Sequence, residues 1–219
     1  MNLPDLWQTL TQHYAPLLPT THSLVWARHA LWSLVLAALG LLWVRRKVRL
    51  PAPLRGLPWL LALWAWVPGP WGLAYWLGLA FQTPSLVSAF LAAAVLFQRA
   101  PGPAARRSST FNWAALWALA AVILGVALVL DTFAVFAFSL YPWGFEPLAL
   151  ALSWAVALLP WVLSGKRAMR QATLWSPCAA LLVFTLTGWP TGNVWDALLD
   201  PWLWLVAVGY LLRLTWRRV

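Results

Sequence analysis

The sequence predicts an all-α, polytopic membrane protein of about seven transmembrane helices (six to eight), with its N-terminus outside and its C-terminus cytoplasmic. Three observations predict it. Apolar residues make up 63% of the 219 and charged residues only 9%, whereas a soluble domain carries charge on about a quarter of its residues. The apolar runs reach roughly 20 residues, enough to cross a ~30 Å hydrocarbon core as helix. They also lack the strict alternation that barrel strands require, and backbone in lipid must satisfy its own hydrogen bonds. Finally, Lys and Arg fall in short clusters between the runs, the pattern that holds loops on the cytoplasmic side.

The chain divides into an outer-face interfacial segment, residues 1–22, and a single transmembrane domain, residues 23–219. The first segment carries no Lys or Arg. Its Trp7, Leu10, Tyr14 and Leu17 fall near helical spacing, which suits a short helix on the membrane surface. The opening MNLPDLWQTLTQHYAP lacks a basic n-region and a compact apolar core, so the chain is expected to be retained whole.

Span 1 covers residues 24–44 and stops at RRKVR, residues 45–49, the densest charge in the chain. Placing that cluster in the cytoplasm sets the direction of every later span. Basic residues flank residues 57–97 on both sides, so the crossings between them must be even in number. The spacing predicts a span over residues 57–80 broken at Val67-Pro68-Gly69-Pro70, then a short span over residues 84–98. Thr83-Pro84 is its expected start, a cap followed by proline at the first helical position. In the alternative, residues 71–82 lie flat on the outer surface. Broken helices at membrane depth need protein or water around the freed backbone, which often marks a binding site.

Span 4 covers residues 111–130, capped by Ser109 or Thr110, and Asp131 follows directly. Residues 132–145 are aromatic and lack positive charge, an outer loop folded onto the membrane. Glu146-Pro147 opens span 5, residues 147–163, which ends at Gly165, Lys166, Arg167 and Arg170. Span 6 covers residues 172–189 with Pro177 as a kink. Asp200-Pro201 opens span 7, residues 201–216, before Arg217 and Arg218. This threading puts every Lys and Arg except Arg28 inside, and all five acids and three histidines on the outer side.

The net charge of +10 would suggest nucleic acid in a soluble protein. Here the basic clusters border spans, so topology and anionic lipid account for them and no nucleic-acid partner is expected. Many of the 20 tryptophans sit near span ends, where an indole keeps its ring apolar and its N–H wet. A stacking site for a flat or sugar-like ligand is the sharper alternative for them. No C-x-x-C, H-E-x-x-H, Walker or G-x-S-x-G pattern occurs, and only His29 lies in a span. No catalytic residue, metal ligand or cofactor is therefore assigned.

The candidate ligand-binding residues are Arg28, His29, Gln82, Thr83, Ser85, Asp131 and Glu146. Asp131 directly follows an apolar run, and a carboxylate there is costly unless paired. Arg28 is its expected partner. Asp131, Glu146, Asp196 and Asp200 all sit at outer span ends, where acids can serve as bases or metal ligands. Asp200 also reads as a simple helix cap and Asp196 as a solvated side chain. The leading expectation is a non-catalytic subunit of a larger complex in a bacterial-type inner membrane, with lipids and other integral membrane subunits as partners. A small-solute or vitamin transport component, with an outward pocket near Gln82 to Ser88, is one alternative. An outer-face enzyme acting on a lipid-linked substrate through Asp131 and Glu146 is the other.

Overall fold

The computed structural model describes residues 18–46, 54, 56–97, 112–164 and 172–216. Among these the protein is all-helical, with no strand. The helices are α1 (Thr21–Arg46), α2 (Leu57–Ala65), α3 (Leu73–Phe81), α4 (Leu86–Phe97), α5 (Trp113–Thr132), α6 (Pro147–Ser164), α7 (Ala172–Thr187), α8 (Val194–Leu198) and α9 (Pro201–Trp216). Two of them, α1 and α5, are long and apolar enough to cross a membrane. At 1.5 Å per residue the 12 residues of α4 rise only about 18 Å. The basic loops, the caps expected at Ser109 and Thr110, and nearly all of residues 1–22 lie outside the described residues. Of that first segment, Thr21 and His22 already belong to α1.

Helices α1 and α2 form an antiparallel hairpin. His29 Nδ1 lies 2.5 Å from the Ala65 carbonyl, Ser33 Oγ donates to the Ala62 carbonyl at 3.0 Å, and Gly40 meets Pro58. A Cβ on Gly40 would stand 3.0 Å from Pro58 Cα, so the small residue permits the close approach.

The break after α2 is real, but α3 does not prolong α2. Gly69 takes φ +65, which glycine adopts without penalty. A Cβ on Gly72 would fall 1.8 Å from the Val67 carbonyl oxygen. Two carbonyls freed by the break are taken up by indoles, Trp64 Nε1 donating to Trp71 and Trp76 Nε1 to Pro70. Beyond the break the chain folds back. Ala65 and Ala74 share a small core with Trp32, Gly78 lies under the Arg28 side chain, and the Gln82 carbonyl accepts from Trp32 Nε1. Residues 65–82 thus return to the same two turns of α1, where the sequence reading drew one interrupted rod.

The start of α4 also differs from expectation. Ser85, not Thr83, is the cap: its Oγ accepts from the Ser88 N–H and its carbonyl from the Ala89 N–H. Thr83-Pro84 instead belongs to the extended turn after Gln82, which has φ +62.

The second half is built of two antiparallel pairs. In α5/α9, Asn112 bonds Tyr210 at one end, and Trp204 Nε1 donates to the Val122 carbonyl while its ring fills the notch at Gly125. In α6/α7, Trp161 Nε1 donates to Leu174, Cys178 Sγ to Ala157 and Trp154 Nε1 to Thr185. A common core of Leu31, Leu86, Ala157, Leu181, Phe184 and Val194 joins α1, α4, α6, α7 and α8. One end of the bundle gathers Ser85, Asp131, Tyr141, Trp189, Asp196 and Asp200. The opposite end carries Arg45, whose guanidinium donates to Val95, and Arg213, one turn beyond Tyr210.

Candidate functional site

The acid-bearing end is a knitted cap. Asp131 closes α5 by accepting from the Leu140 N–H at 2.8 Å, the Tyr141 N–H at 2.7 Å and Ser139 Oγ at 3.2 Å. Those three donors belong to the loop that follows α5, so the carboxylate folds that loop onto the helix end. The expected pairing with Arg28 is not made. Asp131 is engaged by the loop, while Arg28 lies half-buried over Gly78 with its Nε unpartnered. Backbone donors close in sequence won over a distant cation because they cost no long side chain its freedom.

Tyr141 carries the cap across to α8 and the turn before it. Its hydroxyl donates to Asp196 at 2.8 Å, and Thr191 Oγ1 donates to the same oxygen at 2.6 Å. Asn193 is fully buried, accepting from the Trp195 N–H and donating to the Tyr141 carbonyl. Trp195 Nε1 reaches the Leu140 carbonyl and Trp189 Nε1 reaches Ser23 Oγ at the start of α1. Asp196, expected to be merely solvated, is therefore a strut.

Burial and the adjoining Asp196 carboxylate push the Tyr141 phenol far above its ordinary value. A raised value in the folded state means that this bond stabilises the cap below about pH 10 and is lost as pH climbs further. An alkaline absorbance titration of the wild type should therefore contain one late-ionising tyrosine that Tyr141→Phe lacks. If the variant instead loses a group titrating near pH 10, the bond is absent in solution.

Asp200 does more than cap α9. It is 7% exposed, and it accepts from the Leu203 N–H, the Ser85 N–H and Ser85 Oγ, each at 2.8 Å. One carboxylate thus holds the starts of α4 and α9 together. Asp200-Pro201 signalled the local cap; nothing in the sequence signalled Ser85, which lies 115 residues away.

The other candidate residues are structural or peripheral in this geometry. His29 bonds the end of α2 and stacks on Trp66, ring centroids 5.8 Å apart. Gln82 is exposed and uses its carbonyl on Trp32, Thr83 is half-buried, and Ser85 is wholly internal. Glu146 immediately precedes α6, its carbonyl accepting from the Leu150 N–H. Among the described residues, no three His, Cys, Asp or Glu side chains gather as a metal-binding set.

A cavity of about 460 Å³ lies elsewhere, between α5, α6, α7 and α9. Its walls are mostly alanine, leucine and valine, with Trp117, Ser153, Ser176, Pro177, Trp195 and Tyr210 as the exceptions. Sequence reasoning missed it, because alanines at helical spacing read equally well as close packing.

No protein-family model, no curated protein and no solved structure matches the chain.

Proposed function

We propose that the chain is a non-catalytic integral membrane subunit of a larger cell-envelope complex. In this reading it is a seven-span bundle in a bacterial-type inner membrane, with the cap and N-terminus outside and the C-terminus in the cytoplasm. The observation that carries the reading is the cap itself. Asp131 and Asp200 spend both oxygens on backbone and hydroxyl donors, and Asp196 spends Oδ2 on two hydroxyls, which holds the loops and helix starts in place. A catalytic carboxylate needs a free oxygen within reach of the reacting atoms; Asp131 and Asp200 have both oxygens engaged, and all three acids act as fasteners of a fixed outer platform.

Two further features agree with it. The acids lie at one end of the bundle and Arg45, Arg46 and Arg213 at the other, the asymmetry a membrane imposes on Lys and Arg. Helix α5 carries an aliphatic stripe of Leu116, Leu119, Ile123, Val126 and Leu130 that stays exposed among the described residues. Only 17% of its most apolar window is buried. Such a surface belongs against lipid or another subunit's helices.

Gentle solubilisation should release a particle well above the 24.5 kDa of one chain, containing a second membrane protein in fixed ratio. A purified monomer with turnover or solute uptake of its own overturns the proposal. For orientation, Ala137→Cys and Lys166→Cys are placed singly in a Cys178→Ser background. An impermeant maleimide on intact spheroplasts should label the first and spare the second. The reverse pattern inverts the bundle.

A further inference from the structure

We propose that Arg28, seated in a notch between α1 and α3, binds the phosphodiester headgroup of a bilayer lipid. The inference needs the membrane setting proposed above, but neither the partner subunits nor the direction of threading.

Arg28 is a cation in an apolar helix with nothing to balance it. It lies seven residues past Thr21 in α1, about 10 Å along the helix. A charge at that depth is costly unless an anion meets it. Among the described residues Arg28 makes no ion pair and no hydrogen bond, and Asp131, Asp196 and Asp200 give their engaged oxygens to other donors. Protein seals only Nε; the two terminal nitrogens, equally unbonded, stay open.

The fold holds this side chain in place. A Cβ on Gly78 would stand 2.5 Å from Arg28 Cδ, 2.8 Å from Nε and 3.2 Å from Cζ, so the bare glycine is the seat. One turn along α1, Trp32 Nε1 donates to the Gln82 carbonyl at 3.0 Å and shares a core with Ala74. Helix α3 is thereby pinned across α1 on both sides of Gly78. A helical side chain leans toward the start of its own helix, which carries the guanidinium toward the headgroups at the cap end. Seating a long side chain in advance lowers the entropy lost on binding.

Three features name the ligand. Among the described residues Arg28 is the only Lys or Arg at the acid-bearing end, since Arg45, Arg46 and Arg213 lie at the other. One cation balances one negative charge, which a phosphodiester carries, whereas a phosphate monoester carries about 1.5 to 2 at pH 7. The planar guanidinium fork also matches two oxygens of one phosphate. Finally, the surroundings are greasy. Val25 on α1, Leu79 and Phe81 on α3, and Trp202, whose ring meets Phe81 at 5.0 Å, are all exposed. An anion that arrives with acyl chains covers them.

The test uses the full-length protein in an uncharged maltoside detergent and a photoreactive phosphatidylglycerol with a diazirine in its acyl chain. Crosslinks should fall on α3 and Trp202. Arg28→Gln should lower labelling of α3 at least tenfold, the worth of one charge-assisted hydrogen bond. Labelling beside Arg45 and Arg46, circular dichroism and elution volume should stay unchanged. Gly78→Ala, which displaces the guanidinium without removing its charge, should weaken labelling of α3 threefold or more, and it decides the matter if Arg28→Gln does not fold. A diacylglycerol probe with the same chains should label α3 weakly and equally in wild type and Arg28→Gln. Competition at constant ionic strength separates the sources. Displacement by dioleoylphosphatidylglycerol alone supports the lipid phosphodiester; displacement by inorganic phosphate identifies a free anion, and by oleate a carboxylate, and either overturns the proposal. Equal labelling of α3 in wild type and Arg28→Gln, or wild-type labelling in a folded Gly78→Ala, also overturns it.

Discussion

Asp200→Ala is expected to destabilise the folded bundle by about 3–5 kcal/mol, the range seen when one member of a buried charged network is removed. Three donors converge on this side chain, and the site is almost closed to water. Losing the cap of α9 accounts for about 1 kcal/mol of the effect. The larger part comes from the Ser85 N–H and O–H, which would be left buried without an acceptor. Ser85→Ala keeps the carboxylate satisfied by two donors and should cost only about 1–2 kcal/mol. Because both changes break the same contact, the double variant should fall short of the sum by at least 0.5 kcal/mol. Reversible unfolding in mixed SDS micelles reads all three. Strict additivity would mean that the link between α4 and α9 carries no energy. Asp200→Asn should fall between, since one of its two terminal atoms turns donor and would face the Ser85 donors.

The second large effect sits at Gly144. A Cβ there would stand 1.9 Å from Asn193 Oδ1 and 2.6 Å from its Cγ. Asn193 cannot yield, because it is fully buried and bonded on both sides, to the Trp195 N–H and the Tyr141 carbonyl. Gly144→Ala must therefore prise the loop after α5 from the turn before α8. Overpacking of this kind costs about 1–3 kcal/mol and occasionally more. Gly209→Ala makes the same chemical change where a new Cβ meets nothing within 4 Å. In the middle of α9 it should add about 0.5–1 kcal/mol through the lower entropy of the unfolded chain. Opposite signs from one substitution type, with the first also exposing the cap to protease, are the expected result. A Gly144→Ala protein as stable as wild type would show that the two loops are not in contact.

What was legible beforehand follows period and punctuation. Long apolar runs reported the helices, and Glu146-Pro147 and Asp200-Pro201 marked the starts of α6 and α9, because a cap and a proline act within one turn. The break at Pro68-Gly69-Pro70 was visible for the same reason. Its outcome was not. Whether α3 continues α2 or folds back depends on Arg28 meeting Gly78 and Trp32 meeting Gln82, each across fifty residues of chain, and no local pattern encodes that. Helix α8 falls between the spans expected at residues 172–189 and 201–216, and its five residues are too few to show a helical period. The site residues divide in the same way. Asp131 stood out as a carboxylate at the end of an apolar run, yet the neighbours that satisfy it were invisible, and Arg28 was the wrong choice. Ser176 and Trp117 carry no sequence signal, and only the fold shows their polar atoms buried without a hydrogen bond.

From its sequence alone this protein is a helical chain, with each run's extent and most of its end signals written in residues near one another. Apolar length and capping chemistry act over a few residues, so they survive in a one-dimensional string. The tertiary structure alone decided which carboxylate fastens which helix, that the second half-helix turns back on the first, and that an apolar cavity opens among the alanines. Those outcomes rest on hydrogen bonds and contacts between residues more than 100 positions apart. A hydrogen bond has no energy until its partner arrives, and only the packed bundle supplies the partner.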